Sequence, residues 1–208
     1  MSFTTLILAA GKSQRMGYAK AWLRFEGQSF LERILHAAQQ SSTTSISIVV
    51  GTDDNSPWVT RRDVEAILPD SPLCPISIVV GEPEKAPIDS IRRGISDLPP
   101  NRRMLLWPVD YPFATAELIH KLELSFDDEA DHIARPLVNN HHGHPVLFGR
   151  RGVHELLEHG ADSGAHEVVH LNAERLIDIP WDDERLAVSI NTPEEAKRFG
   201  VEIPHSVD

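Results

Sequence analysis

The chain has 208 residues and a formal net charge of −11, from 20 Lys and Arg against 31 Asp and Glu. This length fits one domain that buries about 70% of its unfolded surface, and the acidic balance argues against a general nucleic-acid binder. The single cysteine, Cys74, excludes an intramolecular disulfide. No apolar run approaches the roughly 18 residues of a transmembrane helix, and the first residues lack the basic region of a signal peptide. We therefore expect a cytoplasmic protein without membrane contacts.

The first predicted element is a buried strand that leads into a loop of small and basic residues. Leu6-Ile7-Leu8 is a short apolar run bounded by Gly11, which is typical of a strand in a parallel sheet. Small residues after it would let a ligand approach the backbone N–H groups, and Arg15 and Lys20 add two cations. We predict that this loop holds a nucleoside triphosphate, with binding residues Leu8, Ala9, Ala10, Gly11, Lys12, Ser13, Arg15 and Lys20.

Two other interpretations of this loop compete with a triphosphate site. Gly11-Lys12-Ser13 looks like the end of a P-loop, but that motif needs a second glycine five residues before Gly11, and the position holds Leu6. The loop could also be a plain strand-to-helix turn, because short glycine motifs are common. The joint occurrence of the apolar strand, the small residues and the two cations favours the triphosphate loop.

The next segments predict a βαβ unit. Ser29 and Glu32 form a capping box for a helix that reaches about Gln40. Residues 46–51 and 76–81 carry the same hexapeptide and predict two parallel strands in similar environments, joined by a helix at 61–68. A further helix begins near residue 88, with Asp89 or Ser90 as its N-cap.

A third buried strand is predicted at 104–110, and it ends in Asp110. An aspartate at the carboxyl end of a parallel strand lies where α/β sheets bind ligands. Pro112 then turns the chain away. Asp110 could instead cap the following helix, but Thr115 is better placed to cap a helix at 116–124.

The second half predicts strands at 132–137, 145–148 and 176–179 and a helix at 153–159. The first two strands are joined by a turn that contains His141, His142 and His144. Three histidines suggest zinc, but no cysteine or glutamate pattern at zinc spacing accompanies them. Near the end, Thr192, Pro193 and Glu195 predict a capped helix start.

The residues of the first loop carry a family resemblance. Leu8-Ala9-Ala10-Gly11, Ser13, Arg15-Met16-Gly17 and Lys20 resemble the signature loop of the MobA/MocA-like NTP transferases, which attach a nucleotide to the molybdenum cofactor. Ala9-Ala10-Gly11 is closer to the MocA-like cytidylyltransferase branch. The resemblance implies an α/β fold with three layers and a mainly parallel, Rossmann-like sheet, related to the GT-A glycosyltransferases. We expect one domain over 1–208, with a nucleotide-binding half at about 1–112 and an acceptor-binding half at about 113–208.

The resemblance also implies roles for later residues. Asp110, in a run that matches the family's metal-binding strand end, would hold Mg²⁺ against triphosphate oxygens, with Asn191 as the second ligand. Ser90 would lie near the base and sugar, as an alternative to its capping role. His144 and His166 would contact the acceptor. His166 stands where the family usually has arginine, and Ser189 replaces an aspartate, so the acceptor is left open.

The implied function is Mg²⁺-dependent transfer of a nucleoside monophosphate, with CTP favoured, to a phosphorylated acceptor, with release of pyrophosphate. Arg15, Lys20 and Asp110 are the predicted catalytic residues, Arg15 at the β- and γ-phosphates and Lys20 at the α-phosphate. The expected acceptor is molybdopterin, and a molybdoenzyme would receive the product. The alternatives are transfer to a sugar phosphate or another phosphorylated acceptor, and a non-catalytic chaperone that delivers the cofactor. We expect a monomer or weak dimer.

Overall fold

The computed structural model describes residues 2–52, 59–82, 86–96, 102–126, 131–158 and 165–204. Within these residues, eight strands form one sheet in the order β10-β7-β9-β6-β1-β4-β5, with β8 attached to β7, and β2 and β3 form a separate hairpin. The strands are β1 Phe3–Leu8, β2 Arg24–Phe25, β3 Gln28–Ser29, β4 Thr43–Val50, β5 Ile76–Val80, β6 Arg103–Pro108, β7 Ile133–Val138, β8 His141–His142, β9 Val146–Phe148 and β10 Leu176–Pro180.

Helices cover both faces of this sheet. They are α1 Phe30–Gln39, α2 Arg61–Glu65, α3 Pro87–Ile95, α4 Ala116–Leu124, α5 Arg150–Glu158, α6 Ala165–Leu171 and α7 Pro193–Arg198. Buried residues of α1 and α4 belong to one hydrophobic core, and those of α3, α5 and α6 belong to a second. The three-layer α/β fold predicted from the sequence is therefore confirmed.

The central strands divide their side chains between the two cores. Ile7 and Trp107 pack in the first core, whereas Leu6 and Leu106 pack in the second. This alternation follows from the two-residue period of a strand, and it buries both faces, as a parallel sheet between two helical layers requires. β1 lies between β4 and β6 and is parallel to both, so the carboxyl ends of three adjacent strands meet at one edge.

The repeated hexapeptide forms two neighbouring strands. β4 and β5 are parallel, and Ile46 faces Ile76 across the pair, with the following residues matched in the same register. The intervening α2 ends at Glu65, earlier than predicted, and the side chain of its N-cap Thr60 accepts a hydrogen bond from the backbone N–H of Asp63. The βαβ prediction is confirmed.

The two capping boxes read from the sequence are present. The Ser29 hydroxyl accepts a hydrogen bond from the Glu32 backbone, and Thr192 and Glu195 form the same arrangement at α7. Each such cap stabilises a helix by about 1 kcal/mol. The predicted cap of α3 is wrong: its N-cap is Ala86, which makes no side-chain cap, and Pro87 occupies the first turn. Proline presets the helical φ there, so Asp89 and Ser90 lie inside the helix.

The histidine turn joins β7 to antiparallel partners. Asn139 and Asn140 adopt positive φ angles of 48° and 64°, and β7 pairs with both β8 and β9. In the described part of the chain, no group of three or more His, Cys, Asp or Glu side chains is arranged to hold a metal ion. Residues 159–164, just before His166, lie outside the described residues.

A buried ion-pair network around Arg175 connects α5 with the segments that precede β7 and β10. The Arg175 guanidinium donates to Glu155 at 2.6 Å, to Asp131 at 3.3 Å and to the Asn172 side chain at 3.1 Å. Arg175 is 7% exposed, and its partners lie on α5 and in the segments before β7 and β10. Because several hydrogen bonds satisfy the guanidinium, its burial is tolerated.

Among the described helices, none is long and apolar enough to span a membrane.

Candidate active site

A cavity of about 320 Å³ opens at the carboxyl ends of β1 and β6. It is lined by Leu8, Ala9, Ala10, Gly11, Lys12, Ser13, Lys20, Ala21, Pro87, Ser90, Val109 and Asp110. Every residue predicted to bind the nucleotide is in this lining except Arg15. The cavity therefore brings together the first loop, the N-terminal turn of α3 and the end of β6.

The loop between β1 and Lys20 is shaped by two residues with positive φ angles, Ser13 at 46° and Gly17 at 70°. The Ser13 carbonyl accepts hydrogen bonds from the N–H groups of Met16 and Gly17 at 3.0 Å each. The Ser13 hydroxyl accepts from the backbone of Lys20 at 3.2 Å. Met16 is buried within this loop, and the neighbouring Arg15 is exposed. A contact between Arg15 and a triphosphate stays a prediction.

The Lys20 ammonium lies between the two residues predicted to bind metal. Its Nζ donates to Asp110 Oδ2 at 2.9 Å and to Asn191 Oδ1 at 2.8 Å. The Lys20 and Asp110 side chains are 15% and 18% exposed, so water screens this pair less than it screens a surface pair. Two oxygen atoms from distant parts of the chain thus converge on one cation.

Backbone hydrogen bonds hold these oxygens in place. Val109 donates to the carbonyl of Leu8 at 3.0 Å, and Ile190 donates to the carbonyl of Asp110 at 2.9 Å. The Glu195 carboxylate accepts from the backbone N–H of Asn191 at 2.7 Å and of Thr192 at 2.9 Å. The capping box of α7 therefore also fixes the backbone of Asn191.

The donor set fits a hard divalent cation. Mg²⁺ prefers oxygen ligands, and proteins usually supply one or two of them while phosphate and water supply the rest. Asp110 Oδ2 and Asn191 Oδ1 are two such oxygens, and both already face a positive charge in this structure. These two residues would hold the ion.

A second cavity, of about 380 Å³, lies on the other side of Asp110 and is here called the acceptor cavity. It is lined by Leu106, Tyr111, Arg135, His142, Gly143, His144, Val146, Phe148, Ala165, His166, Val169, His170, Ala173 and Leu176. Both residues predicted to contact the acceptor, His144 and His166, are in this lining. The wall combines aliphatic side chains with several imidazole rings, which suits a molecule that has both a flat ring and polar groups.

His144 enters this cavity as a neutral ring. Burial lowers the pKa of His144 to about 4, although the charge of Asp110 acts in the opposite direction. The ring lies against Tyr111 with centroids 4.5 Å apart. Burial also raises the pKa of Tyr111, which remains a neutral phenol. His144 therefore offers stacking and hydrogen bonding at neutral pH rather than a positive charge.

Several lining residues were not predicted from the sequence. Arg135 is the guanidinium of the acceptor cavity, and its Nε donates to Asp178 at 2.7 Å while its Nη2 lies 2.9 Å from the His142 ring. Arg135 and Asp178 face each other across β7 and β10, so strand register sets this pair. His170 packs edge to face on His166, with centroids 4.4 Å apart. The four-residue spacing of His166 and His170 would have indicated a shared helix face.

Two consecutive residues join the cavities. Asp110 lines the first cavity and Tyr111 lines the second. The Trp107 indole donates to the Tyr111 carbonyl at 2.8 Å, and Trp107 itself is fully buried. The Asp110 carboxylate, which faces the Lys20 ammonium, therefore lies at the boundary between the two cavities.

Comparisons with known proteins identify the family of this chain. Residues 5–176 match the family model described as the MobA-like NTP transferase domain. A probable molybdenum cofactor guanylyltransferase from Bacillus cytotoxicus is 25% identical over 202 residues, which cover 93% of this chain and 94% of that protein. The family match ends before Ser189 and Asn191, so the second donor of the pair is supported by geometry rather than by that match.

Two solved structures share the fold. Rv0371c from Mycobacterium tuberculosis H37Rv has a TM-score of 0.77 and 21% identity, with 95% of this chain and 97% of that chain covered. The structure of the same protein in complex with manganese has a TM-score of 0.73 and 21% identity, with coverage of 94% and 96%. Because the family model covers most of the sequence, the chain belongs to the MobA-like NTP transferase family and is a nucleotidyltransferase.

Proposed function

We propose that this protein transfers a nucleoside monophosphate, with Mg²⁺, from a nucleoside triphosphate in the first cavity to a phosphorylated acceptor in the acceptor cavity. The observation that carries the proposal is the placement of Asp110 and Tyr111, which are adjacent in the chain and line the two cavities. A substrate in each cavity would meet at the carboxylate and amide oxygens that face Lys20. The nucleotide-binding half at about 1–112 and the acceptor-binding half at about 113–208 would then correspond to the two cavities.

Nucleotidyl transfer requires that the two substrates be positioned and that the negative charges on their phosphates be neutralised. An oxygen of the acceptor phosphate attacks the α-phosphorus, and the bond from that phosphorus to the pyrophosphate oxygen breaks. The backbone of Ala9, Ala10 and Gly11 would cradle the phosphates, with Arg15 at the β- and γ-phosphates and Ser90 near the sugar and base. Lys20 would serve the α-phosphate, where charge develops. Mg²⁺ held by Asp110 and Asn191 would neutralise negative charge on the oxygens of both substrates.

Molybdopterin is the acceptor that we propose first. The related protein from Bacillus cytotoxicus carries a name that refers to the molybdenum cofactor, and the acceptor cavity offers flat aromatic surfaces at Tyr111 and His144 for a fused ring. A neutral His144 would hydrogen-bond such a ring, whereas a phosphate calls for a cation. His166, at the position where the resembled family has arginine, would be a weaker phosphate ligand than a guanidinium.

A different phosphorylated acceptor, such as a sugar phosphate, is the second candidate. It is favoured by the engagement of Arg135, whose guanidinium already pairs with Asp178 and His142. With that charge partly neutralised, the cavity carries less positive charge for a highly anionic acceptor. The third candidate, a nucleotide-binding chaperone that delivers cofactor to a molybdoenzyme, would need the same first cavity but no transfer.

The nucleotide base is proposed from the loop sequence. Ala9-Ala10-Gly11 resembles the cytidylyltransferase branch, which favours CTP. The guanylyltransferase name of the Bacillus cytotoxicus relative supports GTP as the competing choice. Side chains beyond the loop, including Ser90, would contribute to this selection.

The test is a pyrophosphate-release assay with CTP, GTP, ATP and UTP, each with molybdopterin and with a panel of sugar phosphates. We expect release with CTP and molybdopterin. Activity with a sugar phosphate alone would establish the second candidate. Binding of nucleotide without release for any acceptor would favour the chaperone.

Alanine variants test whether pyrophosphate release depends on the predicted catalytic residues. We expect Arg15→Ala, Lys20→Ala and Asp110→Ala each to lower turnover by about 100-fold or more. The matched control is Lys121→Ala on α4, which removes an exposed lysine that pairs with Glu117 and lines neither cavity. Near-native rates in all three site variants would overturn the proposal.

A further inference from the structure

The side chain of Asn191 is oriented by a neighbour two residues earlier. Its Nδ2 donates to the Ser189 hydroxyl at 2.6 Å, while its Oδ1 accepts from Lys20 at 2.8 Å. An asparagine amide has a donor end and an acceptor end, and its neighbours decide which way it faces. With Ser189 accepting from the NH₂ group, the carbonyl oxygen is directed towards the cation-facing side. The reversed amide would point its NH₂ group at the Lys20 ammonium and lose the bond to it.

Backbone contacts fix the position of Ser189. Ile190, the residue between Ser189 and Asn191, is fully buried and donates to the carbonyl of Asp110 at 2.9 Å. The segments 189–191 and 110–111 are thus held side by side, and each contributes one residue to the cation-facing pair, Asn191 and Asp110.

We propose that Ser189 is a positioning residue that directs the Asn191 carbonyl to the divalent cation. This inference rests on the proposed function. Residues that orient metal ligands commonly change metal affinity by about 10- to 100-fold when they are removed. Loss of the hydroxyl would therefore weaken cation binding before any acceptor is added.

The experiment measures Mn²⁺ affinity by electron paramagnetic resonance in the protein without nucleotide or acceptor, so it does not depend on knowing the acceptor. We expect Ser189→Ala to weaken Mn²⁺ binding by about 10-fold or more. Ser189→Thr keeps the hydroxyl and is expected to remain within about threefold of the unmodified protein. The control, Ser96→Ala, removes a hydroxyl that donates to the Arg93 carbonyl at the exposed end of α3, and it should leave Mn²⁺ binding unchanged.

A double-mutant cycle tests whether Ser189 acts through Asn191. If it does, Ser189→Ala weakens Mn²⁺ binding in the presence of Asn191 and has no further effect in Asn191→Ala, which is the non-additive result expected for residues in one network. Unchanged Mn²⁺ affinity in Ser189→Ala, or strictly additive effects, would overturn the inference. Failure of the proposed function would appear differently, as unmodified protein that binds Mn²⁺ but releases no pyrophosphate with any acceptor.

Discussion

Lys20 donates to the carboxylate of Asp110 at 2.9 Å, although the two residues are 90 positions apart in the chain. The same ammonium also bonds Asn191, so a lysine occupies the place between two oxygens that suit Mg²⁺. Lysine can leave this place readily, because its charge sits on a flexible four-carbon stem. The arrangement suggests that Lys20 neutralises Asp110 before substrates bind and then turns to the nucleotide phosphates.

This relationship predicts opposite effects of one substitution on two measurements. Lys20→Met removes the competing cation and leaves Asp110 unpaired, so we expect Mn²⁺ to bind about 3- to 10-fold more tightly in the absence of nucleotide, because an unpaired carboxylate attracts a cation more strongly. Turnover in the same variant should fall by about 100-fold or more, because the α-phosphate loses a cation. Calorimetric titration with Mn²⁺ and the pyrophosphate assay provide the two readings. The control is Lys121→Met, and weaker Mn²⁺ binding in Lys20→Met would contradict the prediction.

The buried ring of His144 predicts a pH dependence of stability. Its pKa is about 4 in the folded protein, against an ordinary value of 6.5. As the pH falls from 6.5 to about 4, the unfolded chain takes up a proton that the folded chain does not. The free energy of unfolding should therefore decrease over this window, by at most about 1.4 kcal/mol per pH unit from this group.

Urea unfolding at a series of pH values measures this effect. His144→Phe keeps an aromatic ring beside Tyr111 and removes the titration, so its stability should fall less steeply than that of the unmodified protein below pH 6.5. Above pH 6.5 the difference between the two proteins should be constant. Parallel curves throughout the acid range would show that His144 is not the group responsible.

Gly143, which lines the acceptor cavity, predicts a substitution that acts on the site through the backbone of a neighbouring segment. A methyl group at this position would collide with the backbone carbonyl of Leu186, which is less able to move than the end of a side chain. Gly143→Ala should lower the free energy of unfolding by about 1–3 kcal/mol. It should also displace the segment that leads to Asn191 and reduce turnover by up to about 100-fold.

The matched control for Gly143→Ala is Gly152→Ala in α5. There the added methyl group would meet a side-chain carbon of Phe148 at 3.2 Å, and alanine has the higher helix propensity. We expect its stability to change by no more than about 1 kcal/mol and its turnover to stay unchanged. Thermal unfolding and the pyrophosphate assay distinguish the two variants, and equal losses in both would refute the special role of Gly143.

Substitution of Arg175 should lower the free energy of unfolding strongly without acting directly on nucleotidyl transfer. Arg175→Leu would leave Glu155 and Asp131 without their shared guanidinium, in a place where these carboxylates are 14% and 22% exposed. Breaking a buried ion pair by removing one partner costs about 3–5 kcal/mol, and the partial exposure here places the expected loss at the lower end. Chemical denaturation measures it. The exposed pair of Lys121 and Glu117 offers a comparison, because Lys121→Leu should cost less than about 1 kcal/mol.

The sequence predicted the features that depend on local chemistry. The capping boxes at Ser29 and Thr192 use side chains and backbone within one helical turn, so their spacing was sufficient. The parallel direction of β4 and β5 was predicted from identical hexapeptides, whereas their register is seen only in the structure. The position of Asp110 followed from the end of an apolar run. The start of α3 was misjudged because Pro87 sets the first turn by its backbone and leaves no side-chain signal.

Features that depend on distant pairing were beyond prediction from the sequence. The bond between Lys20 and Asn191 spans 171 positions, and the pair of Arg135 and Asp178 exists because β10 lies beside β7. No local pattern encodes which strands become neighbours. Ser189 was noted as a departure from the resembled family, while its bond to Asn191 required the folded arrangement.

The walls of the two cavities come from almost separate stretches of sequence. The first cavity draws on residues 8–21 and 87–110, whereas the acceptor cavity draws on residues 135–176 together with Leu106 and Tyr111. If the proposed function holds, substitutions between 135 and 176 would reshape the acceptor site without changing the residues that line the nucleotide cavity. Such a division makes acceptor choice an evolvable trait, and β6 with the residues just after it is the short stretch that both halves must keep in common.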